Sequence, residues 1–136
     1  MRYLLDTCVV SDFAQNIIST RERIRNVLPT EIAISSITVA EIRYGISKAS
    51  GTRKSVTIKE ITDELFRQIE IIGLNKKEAK WAGDIRSDLE LKGNIIGMYD
   101  ILIAATAKAH DLIIVTSNEK EFERVSGLKL ENWRGA

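Results

Sequence analysis

Three acids, Asp6, Glu41 and Asp100, have the type and placement for chemistry. Asp6 follows the apolar stretch Tyr3-Leu4-Leu5, Glu41 lies in the first turn of a helix that follows Ile32-Ala33-Ile34, and Asp100 starts an apolar helix that feeds a strand at Leu112. Taken singly, each has a local use. Asp6 caps the helical turn after it, Glu41 answers Thr38 in a capping box, and Asp100 caps its own helix and favours its positive end. Taken together, they gather at one edge of a sheet, where three negative charges repel unless a cation compensates. Oxygen donors alone select a hard ion, Mg²⁺ or Mn²⁺, which binds few protein carboxylates, keeps several waters and is completed by substrate phosphate. Such a cluster suits phosphodiester hydrolysis, in which the ion activates water and neutralises charge on the phosphate.

The rest of the composition narrows the choice. Cys8 and His110 are the single cysteine and histidine. There is no internal disulfide to form, and too few soft ligands for most zinc or redox sites. With 20 basic and 19 acidic residues the net charge is +1, so the chain lacks the basic excess of many nucleic-acid binders. Its 136 residues, 44% hydrophobic and 29% charged, suit one compact domain and exclude disordered or fibrous classes. The longest apolar run, Ile101 to Ala105, is far short of the ~20 residues that cross a bilayer. Arg2 and Asp6 leave no room for a secretory apolar region, which makes a cytoplasmic address the expectation.

Short strands alternating with helices must position the acids. Tyr3 to Leu5 reads as a strand, followed by a helical turn from Val9 to Gln15. Ser19 with Glu22 has capping-box spacing and opens a helix to about Leu28, closed by Pro29. Ile32 to Ile34 is the second strand. Thr38 and Glu41 open a helix with Val39, Ile42 and Ile46 on one face, ending near Ser50-Gly51. Ile58, Ile61, Leu65 and Ile69 mark another helix, which passes into a strand from Ile69 to Ile72. Asn75 and Glu78 open a long helix stopped by Gly93. The helix from Asp100 through Ala109 is apolar nearly all round, and Leu112 to Val115 reads as a buried parallel strand. This pattern predicts an α/β sandwich with its site at the carboxyl ends of the strands.

The segments LLDTCVV, ISSITVAEIRYGISKA, AGDIRSDLELKGNIIGMYDILIAATA, IIVTSNEKEFERVSGL and LENW resemble a PIN-domain ribonuclease, specifically the VapC-type toxin of a toxin–antitoxin pair. The likeness runs from Tyr3 to Trp133. It implies one PIN-like domain over residues 1–136, a three-layer sandwich with a mostly parallel sheet of about five strands. It also implies Mg²⁺- or Mn²⁺-dependent cleavage of RNA, with tRNA the usual target, inhibition by a VapB-like antitoxin, and a homodimer. Asp6, Glu41 and Asp100 match the three leading family acids, with Asp6 and Asp100 as metal ligands. Thr7 and Thr116 stand where hydroxyls support the metal site. Two positions depart from the family pattern. Cys8 replaces a common Asn and reads as a small buried group rather than a nucleophile. Asn118 replaces the fourth acid; it can hold a metal-bound water or cap a helix with Glu121, and Glu119 is the substitute acid.

Arg43 and Lys48, beyond Glu41, with Arg53 and Lys54 in the following loop, are placed to line a path for the RNA backbone, and Arg86 on the long helix joins them. His110, at a helix end, is assigned to terminal carbonyls rather than to acid–base work. A haloacid-dehalogenase-like phosphatase would need a second Asp where Cys8 stands, and no Gly-rich phosphate loop is present. The competing reading is a PIN-fold module that binds RNA or antitoxin with catalysis weakened by Asn118.

Overall fold

The computed structural model describes residues 1–134. Its elements run in the order β1 (Tyr3–Leu5), α1 (Thr7–Ala14), α2 (Ile18–Arg25), a 3-10 turn (Pro29–Glu31), β2 (Ile32–Ser35), α3 (Ser36–Lys48), α4 (Arg53–Gln68), β3 (Glu70–Ile72), α5 (Lys76–Lys92), α6 (Met98–His110), β4 (Ile113–Val115), α7 (Glu119–Phe122) and β5 (Leu130–Glu131). The five strands form one sheet in the order β3-β2-β1-β4-β5, and every pairing is parallel. The expected three-layer architecture is present.

Period-two alternation explains the layers. Leu4 and Ala33 face one side of the sheet, where they pack with Ala82, Ile85 and Leu89 of α5 and the buried α6 residues Ile101, Ala104 and Ala105. Tyr3, Leu5, Ile32 and Ile34 face the other, against Val9 and Val10 of α1, Ile24 of α2, Ile42 of α3 and Leu65 of α4. Sealing both faces this way is the usual state of a parallel sheet. Each fully buried leucine or isoleucine contributes about 1.5–3 kcal/mol relative to exposure. The alanines of α6 let it lie close to both the sheet and α5.

Several helix starts differ from the sequence expectation. Helix α2 begins at Ile18, so Ser19 lies inside its first turn, and it ends at Arg25, with Pro29 opening the 3-10 turn instead of closing the helix. Ser35, not Thr38, caps α3, its hydroxyl accepting from the Ile37 N–H at 3.0 Å. Thr38 is buried within α3, which frees Glu41 from any capping box. Helix α6 starts at Met98, placing Asp100 in its first turn rather than at the cap. Arg53 and Lys54 open α4 instead of lying in a loop. The Asn75–Glu78 box is present, with Glu78 Oε1 accepting from the Asn75 N–H at 2.9 Å. Gly93 ends α5 in the left-handed region, φ 69°, a conformation that costs glycine little.

Candidate active site

The chain reverses direction of growth between β1 and β4, the central neighbours of the sheet, and open α/β sheets bind ligands at such a point. Asp6 follows β1 and Thr116 follows β4. The Asp6 N–H donates to the Val115 carbonyl at 2.9 Å, which carries the ladder one step past the strands and locks both residues side by side. Asp6 is only 5% exposed. Its Oδ1 accepts from the Thr7 N–H at 2.8 Å, and its Oδ2 from the Thr116 hydroxyl at 2.8 Å and, more weakly, the Cys8 thiol at 3.4 Å. Asp6 therefore caps α1 and occupies the site at once. Thr116 is itself fixed by the Asn118 N–H, 2.9 Å from its Oγ1.

Glu41 enters from α3. The Thr7 hydroxyl donates to its Oε1 at 2.7 Å, and Thr38 Oγ1 lies 3.2 Å from that same hydroxyl. One Thr7 side chain thus ties the β1–α1 junction to α3. Both supporting threonines expected from the resemblance, Thr7 and Thr116, contact an acid directly.

Asp100 completes the trio and brings a fourth acid with it. Its carboxyl is pushed up to about 7, first by burial, then by a hydrogen bond it gives to Glu121, and by the charges of Asp6, Glu121 and Glu41. The bond from Asp100, with another from Asn118 Nδ2 at 2.9 Å, holds Glu121 below the usual carboxylate range. Burial is the larger cause, and the proton that Asp100 keeps also spares the pair the repulsion of two adjacent charges.

In the sequence, Glu121 reads only as the partner of a capping Asn118. Glu119 turns to Asn132, its Oε2 accepting from Nδ2 at 3.2 Å, and it is Glu121 whose charge acts on Asp100. Both sit on the short α7, and only the residue three positions past Asn118 turns back toward α6. That i,i+3 spacing is the signal the sequence offers.

The other expected residues are distributed unevenly. Cys8 is half-buried, and burial and then the Asp6 charge raise its thiol pKa, which keeps it a protonated packing group. Arg43 acts on Asp63 of α4, and Lys48 lies over the Tyr44 ring at 5.8 Å. Arg86 pairs with Glu90 at 3.3 Å and borders a separate cavity with Ile95 and Met98. Lys54 does reach the site's surroundings: it lines a groove of about 480 Å³ together with Thr7 and Glu41. His110 turns its Nε2 to the buried Glu78, 2.6 Å away, a carboxylate in place of the expected helix-end carbonyls. Burial opposes ionisation of Glu78, yet the hydrogen bonds from His110 and the Asn75 N–H leave its pKa lowered.

The residues fit a divalent cation. Asp6, Glu41 and Glu121 all lie close enough to Asp100 to act on it electrostatically, they offer carboxylate oxygens, and the like charge that helps keep Asp100 protonated is what a cation would offset. Among the described residues no three acidic, histidine or cysteine side chains already surround one ion position. Mg²⁺ does not require that, since it retains waters and binds one or two protein carboxylates directly.

Comparison with known proteins bears on the same geometry. The PIN-domain model matches residues 3–128. The chain is 44% identical to ribonuclease VapC2 of Rickettsia felis over 102 residues, 75% of this chain and 74% of that one. It is 33% identical to the tRNA(fMet)-specific endonuclease VapC of Shigella flexneri over 134 residues, 98% of each chain. Among solved structures, the VapBC2 complex of Rickettsia felis bound to a promoter DNA fragment superposes with TM-score 0.84 at 36% identity, covering 98% of this chain and 99% of that chain. DNA-bound VapBC from Salmonella typhimurium gives 0.87 at 30% identity over 98% of each. Matched length, identity and shared topology agree: the chain belongs to the PIN-domain family, among its VapC ribonucleases.

Proposed function

We propose that this chain is the toxin of a type II toxin–antitoxin pair and hydrolyses phosphodiester bonds of RNA with Mg²⁺ or Mn²⁺ held between Asp6 and Asp100. The observation that carries the reading is the placement of Asp6, held by Thr7, Cys8 and Thr116, beside Glu41, held by Thr7, at the sheet's switch point, with Asp100 close enough to feel both charges. The bound ion would polarise the phosphate and lower the pKa of a coordinated water. The chain's own groups supply the rest. Three donors fix Asp6 in one orientation, so its charge is presented without reorganisation. Thr7 occupies Glu41 Oε1, leaving Oε2 to accept the proton of the attacking water. Asp100 would hold the ion as a carboxylate, with Glu121, oriented by Asn118, beside it.

A VapB-like antitoxin, of the kind paired with the toxin in the neighbouring VapBC complexes, would cover the acidic cleft. We assign the substrate to tRNA, after the tRNA(fMet)-specific relatives of Shigella flexneri and Salmonella typhimurium. The protein would act in the cytoplasm, as a homodimer of single-domain chains; no helix among the described residues is long and apolar enough to cross a membrane. A catalytically weak binding module rests on Asn118 lacking charge; Glu121, three residues on, brings an acid to Asp100 in its place. The test is to sequence the 5′ ends of RNA fragments after brief induced expression. One recurrent cut in a tRNA is expected. Unaltered RNA in cells whose growth is arrested would overturn the reading.

A further inference from the structure

We infer that a basic cleft between α1, α2 and α4 binds the RNA backbone at a phosphate distinct from the one that is cut. The cleft, about 830 Å³, opens beside the groove that holds Thr7 and Glu41; Gln15, Lys54 and Ile58 border both. A continuous path therefore leads from the acids to the cleft.

Charge is separated along that path. Among the described residues Glu41 is the sole acid lining the groove and no acid lines the cleft, whereas Arg21, Arg53 and Lys54 all do. Among the described residues none of these three forms an ion pair, unlike Arg23, Lys59 or Arg67 nearby, which are matched to Glu131, Asp63 and Glu64. Arg21 is set in place beforehand. Its Nε donates to the Phe13 carbonyl at 3.0 Å and its guanidinium lies 4.9 Å from the Phe13 ring centroid, which leaves the Nη groups to donate. A planar fork held this way suits phosphate oxygens. Arg53 and Lys54 stand in the first turn of the 16-residue α4, where the helix end adds positive potential. Polar Gln15 and Thr57 complete a wall suited to a sugar–phosphate strand, while the apolar side chains concentrate in the adjoining groove.

The inference rests on the chain acting on RNA, and its test separates the two. Antitoxin-free protein is titrated in EDTA with a fluorescein-labelled stem–loop RNA, and cleavage is then measured with Mg²⁺ on that RNA and on a labelled trinucleotide too short to span both places. The variant Arg53→Glu, at a side chain that borders the cleft but not the groove of Glu41 and leaves the Phe13 interaction of Arg21 intact, should bind the stem–loop about tenfold more weakly, and its salt slope should be shallower by about 0.7 for each phosphate no longer neutralised. Its kcat/KM on the stem–loop should fall in parallel while trinucleotide cleavage stays at wild-type level, and adding Arg21→Ala should deepen the loss. Equal losses on both RNAs, or unchanged stem–loop binding and salt slope, would overturn the cleft site while leaving the nuclease reading intact. Unchanged RNA binding with weakened binding of labelled polyglutamate would overturn it in favour of an acidic protein partner. A wild-type protein that cuts neither RNA would overturn the nuclease reading itself.

Discussion

Asp100 gives a hydrogen bond to Glu121, so of these two neighbouring acids Asp100 keeps its proton up to about 7 while Glu121 is ionised below the usual range. The pair joins the first turn of α6 to the short α7 and sets the charge that the site offers a cation.

The pH dependence of the metal-free protein follows from that relationship. A carboxyl whose folded pKa is raised contributes stability that is complete below its unfolded pKa, ~3.9, and is lost as pH rises through about 7. Relative to Asp100→Asn, wild-type protein in EDTA should lose several degrees of Tm as the buffer moves from about pH 6 to about pH 8, and Mg²⁺ should restore them by binding the native state. Thermal melts of both proteins at each pH, with and without Mg²⁺, give the comparison. Parallel curves would remove Asp100 as the titrating group.

Glu121 and Glu119 should behave oppositely. Glu121→Gln keeps the shape and removes the charge beside Asp100, and should lower kcat/KM by about 10–100-fold with weaker Mg²⁺ dependence. Glu119→Gln touches only the bond with Asn132 and should remain near wild type. Steady-state cleavage over a Mg²⁺ series distinguishes them.

Most of the frame is legible in the residues. Tyr3 to Leu5, Ile32 to Ile34 and Leu112 to Val115 read as strands because a parallel sheet buried on both faces needs unbroken apolar runs. Asp6, Glu41 and Asp100 are legible because each stands just past or between such runs. Glu121 is not, because α7 is too short for periodicity to show which side chain faces the sheet edge. The start of α3 escapes the sequence for a related reason: Ser35 and Thr38 can both cap a helix, and only tertiary burial of Thr38 decides between them. Whether a surface cation such as Arg86 faces the acids or pairs along its own helix is likewise settled by packing, not by spacing.

Thr116 should matter more than its size suggests. Thr116→Val conserves shape but strips a donor from Asp6 and an acceptor from the Asn118 N–H. The expected cost is about 1–3 kcal/mol of stability and about 10–100-fold in activity. Denaturant melts and cleavage rates on the same preparation check both.

Cys8, in contrast, should be dispensable for chemistry. Its thiol stays protonated and its bond to Asp6 is long. Cys8→Ala should retain cleavage close to wild type, and iodoacetamide should label the native protein slowly. Abolished cleavage in a well-folded Cys8→Ala protein would assign the thiol a chemical role.

The central claim is that a divalent ion among these acids drives RNA hydrolysis. Cleavage of labelled tRNA by antitoxin-free protein, measured as Mn²⁺ is titrated into wild type, Asp6→Asn and Asp100→Asn, tests it most directly. Activity should saturate with Mn²⁺ in wild type, vanish in EDTA, and be lost in both variants while their folded circular-dichroism spectra persist. Cleavage that survives EDTA, or that persists in both variants, would contradict it.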